Sequence, residues 1–174
     1  MSKTITITIG KAAVVEAIKG DTAITGSIDR SIDAVKNAGV AYNETAGDDA
    51  HHEKKIERMI RGAVSKFEAE IAEFADGSEG SISDSLTGDN IIIRLVVSDR
   101  YNGGLGNPLS GLAQEYIINM SLYAWWNSIK PDFAKGFITL AADALAYVRK
   151  CFVKQAPAAA ASSYEAVTGT VIKN

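Results

Sequence analysis

PLSGLAQEYIINMSLYAWWNSIKPDFAKGFITLAADALAYVRKCF, residues 108–152, is the stretch that decides the fold. In its first half Leu109, Leu112, Ala113, Tyr116, Ile117, Met120 and Ala124 recur at steps of three and four, which places them along one side of a helix. Lys130-Pro131 closes that helix. Pro131 suits the first turn of the next one, where a missing N–H costs little, and Phe133, Phe137, Leu140, Ala141, Ala144, Val148 and Phe152 give it an apolar stripe of its own. A short proline-containing turn between two such helices predicts an antiparallel hairpin.

Working outward, residues 91–97 (IIIRLVV) are aliphatic except at Arg94 and predict a well-buried strand. A strand implies a sheet, because its backbone groups need partners. Residues 3–9 alternate Thr with Ile, so Ile5, Ile7 and Ile9 share one face of a half-buried strand. Ile56, Met59, Ile60, Ala63, Val64, Phe67, Ile71 and Phe74 step by three and four and predict a long amphipathic helix starting near Ala50, with Asp48 or Asp49 as its cap. Ala13, Val14, Ala17 and Ile18, then Ile28, Ile32 and Val35, show the same period. Gly20 and Gly26 lie between, so two short helices with a turn are expected. Residues 39–50 and the acidic, Gly/Ser-rich 76–89 read as loops, the second flexible or a hairpin connection.

These elements predict an α+β, mainly helical domain over residues 1–155, its long helices and C-terminal hairpin packed with a small sheet. Residues 156–174 read as an alanine-rich linker and a strand-like tail carrying Val167 and Val171. A net charge of −3 and an isoelectric point near 5.4 give no basic footprint, so sequence-specific nucleic-acid binding is not expected. No apolar run approaches the ~20 residues of a membrane span, and the alternating N-terminus lacks the apolar block of a signal peptide; a soluble chain made in the cytoplasm is expected.

Reactive chemistry finds little support. His51-His52 beside Asp48, Asp49 and Glu53 is the only His and acid cluster, but neighbouring helical residues point about 100° apart and cannot chelate together. With only those two histidines, no Ser-His-Asp arrangement can be assembled from the serines at 78–85. Cys151 sits beside the apolar stripe of the last helix as a small core thiol. No catalytic residue, metal or cofactor is therefore expected. Gly103, Gly104 and Gly106 follow a strand and precede a helix, but their spacing fits neither phosphate-loop nor dinucleotide pattern; the 101–108 loop reads as a structural turn or a loop that orders against a partner. Two consecutive tryptophans, Trp125 and Trp126, cannot both face one core, so at least one should be partly exposed or meet another element.

The order of elements resembles small virion proteins of tailed phages and prophages. The resemblance covers residues 11–153, including the Thr22-Ala23-Ile24-Thr25-Gly26 break and the strand ending in Ser98-Asp99-Arg100-Tyr101. Residues 114–152, with Tyr116-Ile117-Ile118, Tyr123-Ala124-Trp125-Trp126 and Tyr147-Val148-Arg149-Lys150, look like the helical hairpin of head-completion or head-to-tail connector proteins. This resemblance implies a virion protein: a ring-forming homo-oligomeric adaptor contacting portal, tail or neighbouring adaptor, joined through extended segments and loops. The interface candidates are Ile5, Ile7, Ile9, Val167 and Val171 on the terminal strands, Tyr101, Gly103, Gly104 and Leu105 in the loop, and Trp125 and Trp126. The terminal strands can pair with a neighbouring subunit or close one sheet with 91–97 inside the chain. The alternative is a non-catalytic bacterial protein-binding module, cytoplasmic, whose surface is the 101–108 loop with Trp125 and Trp126.

Overall fold

A computed structural model of the chain describes residues 2–30, 46, 50–78, 80–86 and 88–153. Strand β1 (Ser2–Gly10) leads directly into helix α1 (Lys11–Arg30), and helix α2 (Ala50–Ile71) follows. Strands β2 (Ile82–Ser85) and β3 (Asn90–Ser98) come next, then the hairpin of α3 (Gly106–Trp126) and α4 (Pro131–Val153). The fold is α+β and mainly helical, with a three-stranded antiparallel sheet in the order β1-β3-β2.

The alternation in β1 sets the register. Ile5, Ile7 and Ile9 stand opposite Leu95, Ile93 and Ile91 of β3, and Ile7, Ile9, Ile91, Ile93, Leu95 and Val97 are buried on the inner face. Thr4, Thr6, Thr8 and Arg94 face outward with the half-buried Ile92 and Val96, so β3 is covered on one face and not on both. The N-terminal strand thus closes a sheet within its own chain; the tail residues Val167 and Val171 lie outside the described residues. Inside the segment expected to be a flexible loop or a hairpin connection, β2 pairs with β3 from Ile82 opposite Leu95 to Ser85 opposite Ile92. Gly88, at φ +80°, takes a backbone conformation that side chains resist and turns this hairpin.

Helix α1 runs unbroken through Gly20 to Arg30, against the expected break there. Val14, Ile18 and Thr22 are fully buried, and the Thr22 hydroxyl donates within the helix to the carbonyls of Ile18 (2.9 Å) and Lys19 (3.0 Å) while accepting from the Ala46 amide (3.1 Å). Burying two aliphatic side chains outweighs the roughly 1 kcal/mol helix penalty of one glycine. Ile32, Val35 and the caps Asp48 and Asp49 lie outside the described residues.

Helix α2 buries the expected stripe from Ile56 to Ile71, and adds His52. Phe74 lies in the short 3-10 turn after it, half-buried and stacked on Phe152 of α4 at 4.7 Å between rings. The α3–α4 turn closes on Trp126, whose carbonyl accepts from the Ile129 amide (2.9 Å) and the Lys130 amide (2.6 Å). Both stripes of the hairpin differ in detail from expectation. In α3 Ala124 is exposed and Leu112 half-buried, while Ser121, Leu122, Trp125 and Trp126 are buried as well. In α4 the buried residues are Ala134, Ala141, Ala144, Val148 and Cys151; Phe137 and Phe152 are only half-buried, and Phe133 and Leu140 are exposed. Small residues at the seam let the two helices close, and the bulky ones are left to straddle it.

A Cβ added at Gly20 would meet nothing within 4 Å, and the backbone there is helical. Gly20→Ala is expected to stabilise the protein by about 0.5–1 kcal/mol, read as a higher midpoint in urea. A lower midpoint would show that α1 is not continuous through this position.

Candidate functional site

The 101–108 loop is tied down by its own chain. Lys3 Nζ donates to the Tyr101 carbonyl at 2.9 Å and lies 5.5 Å from the centre of the Tyr101 ring. That ring is buried and packs on Phe152 at 5.8 Å. Asn102 then caps a 3-10 turn over Gly103–Leu105: its side-chain oxygen accepts from the Gly104 amide and its carbonyl from the Leu105 amide, both at 3.1 Å. Two amides an anion would need are thereby occupied. Gly103 and Gly104 are exposed and Leu105 is half-buried, so only the tip of the loop faces solvent.

The two tryptophans are corrected more sharply. Both are fully buried. Trp125 meets α2, with the His52 ring edge-on at 5.6 Å and Lys55 Nζ 3.8 Å from its ring centre. Trp126 meets the start of α4, edge-on to Phe133 at 5.2 Å. Each tryptophan meets another element, as one of the two expectations had it, but neither offers a surface. Burial, and secondarily the neighbouring Arg58, lower the Lys55 pKa. Ile7 and Ile9 are likewise core residues, and Ile5 is partly buried against the core.

His51 is exposed and His52 buried, 6.1 Å apart between rings. Among the described residues no three of His, Cys, Asp and Glu gather as a metal would require. A shallow groove of about 280 Å³ runs between α2 and α4, floored by Tyr116 and Met120 of α3 and rimmed by Lys66, Glu70, Ile138 and Leu145. At its end Arg149 clamps the two helices, pairing with Glu70 at 2.9 Å and Glu73 at 3.2 Å. The groove falls short of the volumes that enclose a drug-sized ligand.

Sequence reasoning missed two features. One is Glu68, whose Oε1 is buried with no hydrogen-bond partner among the described residues; burial, and secondarily the charge of Asp84, raise its pKa to about 6. The other is the apolar exposure of α4. Phe133, Leu140 and Tyr147 are exposed on the flank away from the groove, Ile138 on the groove side and Val153 at the helix end, and Ile24 on α1 is the only other large exposed hydrophobic among the described residues. The signal was present: Phe133, Leu140 and Tyr147 repeat every seven residues, one step out of phase with the buried Ala134, Ala141 and Val148. Two overlapping stripes cannot both face one partner helix.

Compared with known proteins, the chain matches no family, no curated protein and no solved structure.

Because folding raises the Glu68 pKa above its ordinary value, the folded state favours the protonated form. Stability is fully present below about pH 4.5 and is lost as pH rises through about 6. Glu68→Gln is expected to remove that loss, gaining at pH 7 about 1 kcal/mol once solvent screening of this half-exposed group is allowed for. Urea unfolding of both proteins at pH 4.5 and pH 7 measures it; equal pH dependence in the two would contradict the assignment.

Proposed function

We propose that the chain is a non-catalytic structural protein of a tailed-phage or prophage particle, a head-to-tail connector that forms a homo-oligomeric ring between portal and tail. The observation that carries the proposal is the outer edge of β1. This strand runs nine residues without proline, at the margin of the sheet, and among the described residues no strand pairs with that side. Such an edge is a template for an extended segment of another chain. A subunit that offers one edge and supplies one extended segment joins its neighbour head to tail, the geometry from which rings close. The strand-like residues 164–172, with Val167 and Val171, are the segment this arrangement would use.

The architecture is compatible with the connector resemblance: a helical hairpin and a long amphipathic helix pack on a small sheet. The binding-module alternative loses most of its proposed surface, because Trp125 and Trp126 are fully buried and the 101–108 loop is held by Lys3 and Asn102.

Electron microscopy of the concentrated full chain, and of phage particles purified from its host, tests the proposal. Closed rings with a central channel, and the chain present at the head–tail junction, are expected. A chain that never exceeds a dimer and is absent from particles contradicts it.

A further inference from the structure

We propose that the exposed flank of α4 opposite the groove is a self-association surface, on which two copies of the chain pair their α4 helices antiparallel about a two-fold axis at Leu140.

The face is a single column. Phe133, Leu140 and Tyr147 lie seven residues apart, return to within about 20° of one direction along roughly 21 Å of helix, and remain 43%, 53% and 55% exposed. Its direction is fixed by Arg149, which reaches from the opposite flank of α4 to Glu70 and Glu73; the column therefore points away from α2 and from the groove. Beside Leu140, Gly136 carries no side chain, and a Cβ there would meet nothing within 4 Å, so another helix can approach closely.

The column fits a second copy of itself. With Leu140 on the two-fold, residue i faces residue 280 − i of the partner, so each Phe133 lies against the other copy's Tyr147, and the leucines meet at the centre. A two-fold also brings the same flank of both helices together. On that flank Asp132 lies in the first turn and Lys150 in the last, and their numbers sum to 282, two residues or about 3 Å of helix from the exact register; each Asp132 therefore comes within side-chain reach of a Lys150 of the other copy, twice over. Asp132 pairs with the exposed Lys135 (2.7 Å), and Lys150 lies over the Tyr147 ring at 4.5 Å, so both charges stand at the border of the apolar column. A parallel pair, with its two-fold along the helices, would instead put this flank of the two copies on opposite sides and leave both charges without a partner across the contact. One helix pair of this length is a small interface, and the dissociation constant is expected in the roughly micromolar range.

This contact is independent of the connector reading. A two-fold contact closes on itself at a dimer and builds no ring, whereas the β1 edge is a head-to-tail contact.

Sedimentation equilibrium of the full chain between about 1 and 200 μM tests it. A monomer–dimer step is expected within that range, beneath whatever larger species the β1 edge builds at higher concentration. Leu140→Lys places two like charges on the axis and is expected to weaken association at least about 100-fold with an unchanged far-ultraviolet circular dichroism spectrum. Asp132→Lys is expected to weaken it about tenfold, and adding Lys150→Asp to restore it, an exchange that only the antiparallel register predicts. A wild-type chain that stays monomeric throughout, whether α4 then seats the chain's own residues 154–174 or a different protein, overturns the proposal. So does a dimer that Leu140→Lys leaves intact, or one that the charge exchange fails to restore.

Discussion

The structure depends on one constraint: Trp125 and Trp126, adjacent on α3, are both excluded from solvent. Consecutive helical side chains point about 100° apart, so burying both requires protein on two sides of the helix at the same level. Helix α2 supplies one side, through His52 and Lys55, and the start of α4 supplies the other, through Phe133. With Leu122 and Ser121 also fully buried, the C-terminal half of α3 is covered on most of its circumference, Ala124 being exposed. A helix buried on more than one side has to be central. α3 accordingly touches α4, α2, β1 and α1, and truncating either tryptophan would remove about 3–5 kcal/mol from a net stability of about 5–15.

That central position determines what is left over for other molecules. α4 closes on α3 through Ala134, Ala141, Ala144 and Val148, and its larger side chains are displaced to the flanks. One flank, with Ile138 and Leu145, rims the groove beside α2; the other, with Leu140 and Tyr147, meets nothing described. The sheet is treated similarly. Its inner face is consumed by the core, and its outer face and the free edge of β1 remain. These surfaces are what the functional reading is built on.

The long periodic elements were legible in the sequence because their patterns are local. The Thr/Ile alternation at 3–9, the aliphatic run at 91–97, the stripe from Ile56 to Ile71 and the proline-started hairpin all form where they were read. What escaped depends on tertiary contacts. Gly20 is tolerated because Val14 and Ile18 before it and Thr22 after it are buried in the fold, not because of its own preference. β2 has only four residues and one aliphatic side chain, Ile82, so it has no pattern until β3 pairs with it. The tryptophans looked like a surface because two of them exceed what one partner can cover; three converging helices resolve that. On α4 the apolar residues fill two stripes, and only the approach of α3 decides which one, the small-residue stripe, is inside.

The claim that α3 is a central helix gripped from both sides is tested most directly with two proteins, Trp125→Phe and Trp126→Phe, each retaining one tryptophan, since the chain has only these two. Their emission is followed through urea unfolding and iodide quenching. In both, the remaining indole should be shielded from iodide in the native state and become exposed in one transition whose midpoint coincides with the loss of helical circular dichroism. An indole that iodide reaches in the native protein, or two tryptophans that report separate transitions, would contradict the account.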